Sequence, residues 1–99
     1  MTVKFQTSKN VTLSADDFGV SPGVSKGILQ LAEKQRISAT SVMVVYDNWE
    51  KDAKALQDFK EHIDIGLHFV LTDAIPLSPP GKVRSLISSD NRFLKVRQL

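Results

Sequence analysis

A short apolar stretch, Val11–Ala15, runs directly into two adjacent carboxylates, Asp16 and Asp17, and then into Phe18-Gly19-Val20-Ser21-Pro22. That succession constrains the fold more than any other part of the chain. Val11-Thr-Leu-Ser-Ala15 alternates apolar and polar side chains, as a strand does. Ser21 and Pro22 read as a helix N-cap and first helical residue, because the serine oxygen can accept an early N–H and proline has none to lose. The junction is therefore strand, acidic loop, helix. In parallel α/β proteins such loops lie at the C-terminal edge of the sheet, where sites are built. Neighbouring like charges raise each other's pKa, so the pair is best explained where a divalent cation or a proton transfer uses it. Capping of the following helix accounts for one aspartate, but not readily for both together with Phe18-Gly19.

The rest of the chain repeats the alternation. Val24, Gly27, Ile28, Leu31 and Ala32 share one helical face, with Lys26, Gln30, Glu33 and Lys34 largely outside it. Thr40-Ser-Val-Met-Val-Val45 is a β-branched run of the kind buried in parallel sheets. Asp47 and Glu50 have the spacing of a capping box, and the helix they open carries Trp49, Ala53, Leu56 and Phe59. Ile63–Leu71 reads as a third strand, with Ile65, Leu67, Phe69 and Leu71 on one face and Gly66, His68 and Val70 on the other. The expected architecture is a parallel βαβαβ segment, with both helices over the face that carries Leu13, Ile65, Leu67 and Phe69. From Thr72 to Leu99 the pattern dissolves: Pro76, Pro79, Pro80 and Gly81 forbid regular structure, and Ser88-Ser-Asp-Asn91 is a turn. Residues 1–99 form one partial domain, of which 72–99 are an irregular tail. Three strands leave both sheet edges without partners, so the chain reads as part of a larger architecture that pairs with another copy of itself.

Composition narrows the function classes. The chain has 99 residues, 41% hydrophobic and 24% charged, as in ordinary globular proteins. No apolar run is long enough to span a bilayer, and the N-terminus shows no signal-peptide pattern, so a cytoplasmic protein is expected. Its net charge is only +2, and the thirteen Lys and Arg are scattered, so neither nucleic acid nor a membrane is an expected partner. The absence of cysteine removes disulfides, thiolate metal sites and a Cys nucleophile.

Three residues stand out: Asp16, Asp17 and His68. His68 falls near the end of the third strand, on the same sheet edge as the carboxylates, so a mixed oxygen and nitrogen site for Zn²⁺ or Mg²⁺ can form there. A lone strand histidine is more often structural than a ligand, and it is the place of His68 on the same edge that makes it an even candidate; His62 reads as a solvated loop residue. Phospho-accepting receiver domains also carry an acidic pair after their first strand. They need an aspartate where this chain has His68, and that reading fails. No Gly-x-Ser-x-Gly elbow supports a serine hydrolase.

The segments Ser14-Ala-Asp-Asp-Phe-Gly-Val-Ser-Pro-Gly-Val24, Ala39-Thr-Ser-Val-Met-Val44 and Gly66-Leu-His68 with Leu71-Thr72 resemble the YdjC-like carbohydrate deacetylases. The resemblance continues through Ile75-Pro76-Leu77, Pro79-Pro80, Ser85-Leu86 and Arg92-Phe93. It implies the first part of a distorted (β/α) TIM-like barrel and removal of N-acetyl groups from amino sugars or oligosaccharides. In that family a divalent ion is held by one Asp and two His; the matching positions here are Asp17 and His68, while Asp16 matches the general base toward water. Family chains are roughly two and a half times this length, the size of a barrel domain. This chain therefore reads as an N-terminal portion, with two metal ligands of three and weak or absent activity by itself. The alternative is a non-catalytic, self-associating fragment. At the turn before Arg92-Phe93, Asn91 replaces the family's glycine and is expected to tolerate the left-handed conformation.

Overall fold

A computed structural model describes residues 8–99. Three strands, β1 (Ser14–Phe18), β2 (Ala39–Val42) and β3 (Asp64–Leu67), form one parallel sheet in the order β1-β2-β3. Helix α1 (Pro22–Glu33) joins β1 to β2; α2 (Trp49–Leu56) and a 3₁₀ turn at Gln57–Phe59 join β2 to β3. The expected βαβαβ order and parallel pairing are both present. Consecutive strands are neighbours and both crossovers pack on one face, as right-handed connections in a singly wound sheet require.

Ser21 caps α1 as its sequence predicts: its backbone is extended and its Oγ accepts the Val24 N–H at 3.2 Å. The buried stripe of α1 differs from the expected one. Ser25, Ile28 and Ala32 are buried, whereas Val24 and Leu31 are 39% and 41% exposed. Ser25 turns inward because its Oγ accepts the Gly19 N–H at 2.9 Å, and this rotates the helix face away from Val24. The capping box at Asp47 does not form either. Asn48 occupies the N-cap with φ −89° and ψ −2° and makes no side-chain capping bond. A capping side chain needs an extended backbone at that position, and the preceding turn, closed by Trp49 N–H on the Tyr46 carbonyl, prevents it.

The main core lies between the helices and the sheet: Phe18, Ile28, Ala32, Ile37, Val42, Leu56 and Ile63 are buried together. Each fully desolvated Phe, Ile, Leu or Val side chain among them contributes about 1.5–3 kcal/mol. Thr40 pairs with Ile65 and Val42 with Leu67, so Ile65 and Leu67 do point to the helix face, where they border a groove with Trp49 and Leu56. They are not covered as expected. Ile65 is 43% and Leu67 63% exposed, and Leu13 and Phe69 also lie in solvent. The two helices pack over β1 and β2, which leaves the outer flank of β3 bare.

Strand boundaries shift as well. β1 begins at Ser14 and contains both aspartates, and Val11 to Leu13 lie outside it. β3 ends at Leu67 and not at Leu71. Beyond it the chain is built of turns, with single 3₁₀ turns at Pro80–Lys82, Arg84–Leu86 and Val96–Gln98 and one antiparallel bridge between Ile87 and Phe93. Asn91 adopts φ 60°, the left-handed conformation expected of it. A second small core of Val70, Ala74 and Phe93, flanked by Met43, Val45 and Tyr46, ties this segment to the C-terminal end of β2. Among the described residues, no helix is long and apolar enough to cross a membrane.

Candidate functional site

The acidic junction is shaped by a bulge. β1 and β2 pair at Ala15 with Thr40 and again at Phe18 with Val42, so three steps along β1 match two along β2. The extra residue is Asp17, which takes φ 72°. In an unbroken strand Asp16 and Asp17 would point to opposite faces, and Phe18 would leave the core. The bulge restores Phe18 to the helix side, where it is fully buried, and leaves both carboxylates on the other face. The sequence pattern by itself puts the pair in a loop beyond the strand. The difference arises because pairing with β2, a nonlocal event, extends β1 past them.

Three hydroxyls hold this distortion. Thr40, buried, donates from Oγ1 to the Ala15 carbonyl at 2.7 Å, the acceptor next to the bulge. Ser41 donates from Oγ to Asp16 Oδ1 at 3.0 Å on the opposite face. Ser25 closes the turn from the helix side through Gly19. Gly19 has φ +95°, and a Cβ there would meet the Met43 carbonyl oxygen at 2.9 Å, so glycine is required on both counts. The sequence pattern singles out none of these hydroxyls. No local pattern marks them, because the pairing of β1 with β2 sets Thr40 against the Ala15 carbonyl and Ser41 against Asp16.

His68 follows the last residue of β3, and its N–H donates to the Val42 carbonyl at 2.9 Å, which fixes its backbone against β2. Its Nδ1 lies 3.2 Å from Asp17 Oδ1. The imidazole nitrogen is buried, yet among the described residues it has no aligned hydrogen-bond partner. Such an orphaned buried nitrogen is unusual in a folded protein. Two donors held by one tetrahedral ion lie about 3.3 Å apart, so a shared divalent cation suits the separation and would satisfy the nitrogen. Asp17 and His68 are thus brought together, and Asp16 stands apart, engaged by Ser41. Among the described residues, no group of three or more His, Cys, Asp or Glu side chains could hold a metal ion. His62 is exposed at the far end of β3 and takes no part. Beside His68 opens an apolar recess of about 380 Å³ whose lining includes Leu67, Phe69, Leu71 and Phe93.

Known proteins are similar to this chain. A chitooligosaccharide deacetylase of Enterobacter sp. (strain 638) is 40% identical over 78 residues, covering 78% of this chain and 31% of its own length. A carbohydrate deacetylase of Thermoanaerobacter pseudethanolicus is 31% identical over 87 residues, covering 86% of this chain and 34% of its own. The chain therefore spans about a third of the length of the curated relatives it matches. Among solved structures, a proposed cellobiose-phosphate cleavage protein from Enterococcus faecalis V583 superposes with a TM-score of 0.78 at 27% identity, over 87% of this chain and 34% of that one. The family model described as YdjC-like protein matches residues 10–99, from the approach to the acidic junction through the turns beyond β3, and the chain belongs to that family.

Proposed function

We propose that this chain carries part of the active site of a carbohydrate deacetylase, in which Asp17 and His68 hold a divalent cation, Mg²⁺ or Zn²⁺, and Asp16 is the general base. The observation that carries this reading is the buried, unpartnered His68 Nδ1 only 3.2 Å from Asp17 Oδ1. The substrate class, acetylated amino sugars or their oligosaccharides, is carried over from relatives named as chitooligosaccharide and carbohydrate deacetylases. The bound cation would polarise the acetamide carbonyl and acidify water. Asp16 accepts a proton as water adds to the carbonyl carbon; that proton is then passed to the leaving nitrogen as the C–N bond breaks, giving acetate and the amine. Its Oδ1 is engaged by Ser41, so Oδ2 is the oxygen for that proton. The three strands would form the opening of a β/α barrel, with the carboxylate face turned inward.

A catalytic ion usually takes three protein ligands, and two are at hand here. The 99-residue polypeptide therefore binds the ion weakly and deacetylates slowly or not at all. The bare flank of β3, with Leu67 63% and Phe69 72% exposed, favours self-association of this polypeptide, as a homodimer or larger assembly. Calorimetric titration of Zn²⁺ and Mg²⁺ into the wild type, Asp17→Asn and His68→Ala tests the metal assignment. Binding is expected for the wild type and a sharp loss in both variants. Equal binding by all three would refute it.

A further inference from the structure

Asp16 and Asp17 are chemically identical, adjacent and on one face, yet the reading above gives them different work. Nothing in the residue type separates them. Their partners do. Asp17, at the bulge, reaches His68, while Asp16 Oδ1 receives the Ser41 hydroxyl at 3.0 Å. Ser41 pairs with Gly66 on β3, and that neighbour has no side chain to compete for the hydroxyl. Among the described residues no three-ligand cluster forms, so Asp16 does not complete the Asp17 and His68 pair.

We infer that Ser41 is a positioning residue that restrains the Asp16 carboxylate outside the cation's ligand set, so that one aspartate of the pair remains free to accept a proton. This rests on the metal reading proposed above, but the restraint itself is a property of β1 and β2 alone. Without the hydroxyl, nothing on β2 holds Oδ1. The side chain can then rotate toward the cation and become a third ligand, which binds the ion more tightly and removes the base. Ser41 would thus set the division of labour between two equivalent groups.

The test uses the whole 99-residue chain and two readouts. In Zn²⁺ titrations, Ser41→Ala is expected to tighten binding by about tenfold, as a third anionic ligand completes the usual set. That gain should vanish in the double variant Ser41→Ala/Asp16→Ala, whereas Ser41→Thr, which keeps a hydroxyl, behaves as wild type. Metal-free, the NMR χ1 couplings of Asp16 should report one rotamer in the wild type and in Ser41→Thr, and averaging in Ser41→Ala. A fixed Asp16 rotamer in Ser41→Ala, or a Zn²⁺ affinity that does not respond to it, would overturn the inference. Should neither the wild type nor Ser41→Ala bind Zn²⁺ while the Asp16 couplings still respond, the metal reading fails and the restraint by Ser41 stands.

Discussion

The left-handed backbone of Asp17 should reverse an ordinary preference. At most strand positions glycine is worse than alanine, because it loses more conformational freedom on folding, by about 0.5–1 kcal/mol. At φ 72° an alanine carries the left-handed strain of any residue with a Cβ, about 1–2 kcal/mol, and glycine carries none. Asp17→Gly and Asp17→Ala both delete the carboxylate, its repulsion with Asp16 and its contact with His68, so those contributions cancel between them. The contact is small in any case: the two side chains are 52% and 30% exposed, which screens it to about 0.5 kcal/mol. What remains is strain minus entropy. Asp17→Gly should therefore be more stable than Asp17→Ala by about 1 kcal/mol, about 4–8 °C in Tm for a domain of this size. Asp16, in ordinary strand conformation one residue earlier, supplies the internal control: there Ala should exceed Gly by about 0.5–1 kcal/mol. Urea denaturation followed by the fluorescence of Trp49, the only tryptophan, measures both pairs. If Asp17→Ala matches or exceeds Asp17→Gly, the bulge does not store strain at this residue and the account of the paired carboxylates is wrong. Both Asp17 variants should also lose any Zn²⁺-induced rise in Tm.

Further substitutions probe the same junction and the open flank. Gly19→Ala should lower stability by about 2–3 kcal/mol in the same denaturation assay, since it combines left-handed strain with a 2.9 Å approach to the Met43 carbonyl oxygen. Thr40→Val keeps the shape but abandons the Ala15 carbonyl; it should be destabilising by about 1–3 kcal/mol, with Thr40→Ser recovering part of the loss. Leu67→Lys combined with Phe69→Lys should shift sedimenting material toward the monomer without lowering Tm, because both side chains are largely in solvent. A wild type that sediments as a monomer at all concentrations would remove the case for self-association.

What could be read from the sequence was local or periodic. The Ser21-Pro22 start of α1 depends on residues within one turn, and the alternation of strand and helix patterns is enough to imply parallel pairing and right-handed crossovers. That logic also placed Asp17 and His68 at the same edge of the sheet, since each ends its strand in the same direction. The tertiary structure decided what depends on register. Whether two consecutive carboxylates share a face is settled by one extra residue between Ala15 and Phe18, and that bulge exists only through pairing with Thr40 and Val42 some twenty-five residues away. The same dependence turned Ser25 inward in place of Val24, withheld the capping box from Asp47, and gave Ser41 a carboxylate to hold. Periodicity specifies which elements form, because it reflects the geometry of a few adjacent bonds. The positions of individual polar atoms depend on a neighbouring strand, and no pattern within the segment itself encodes its register.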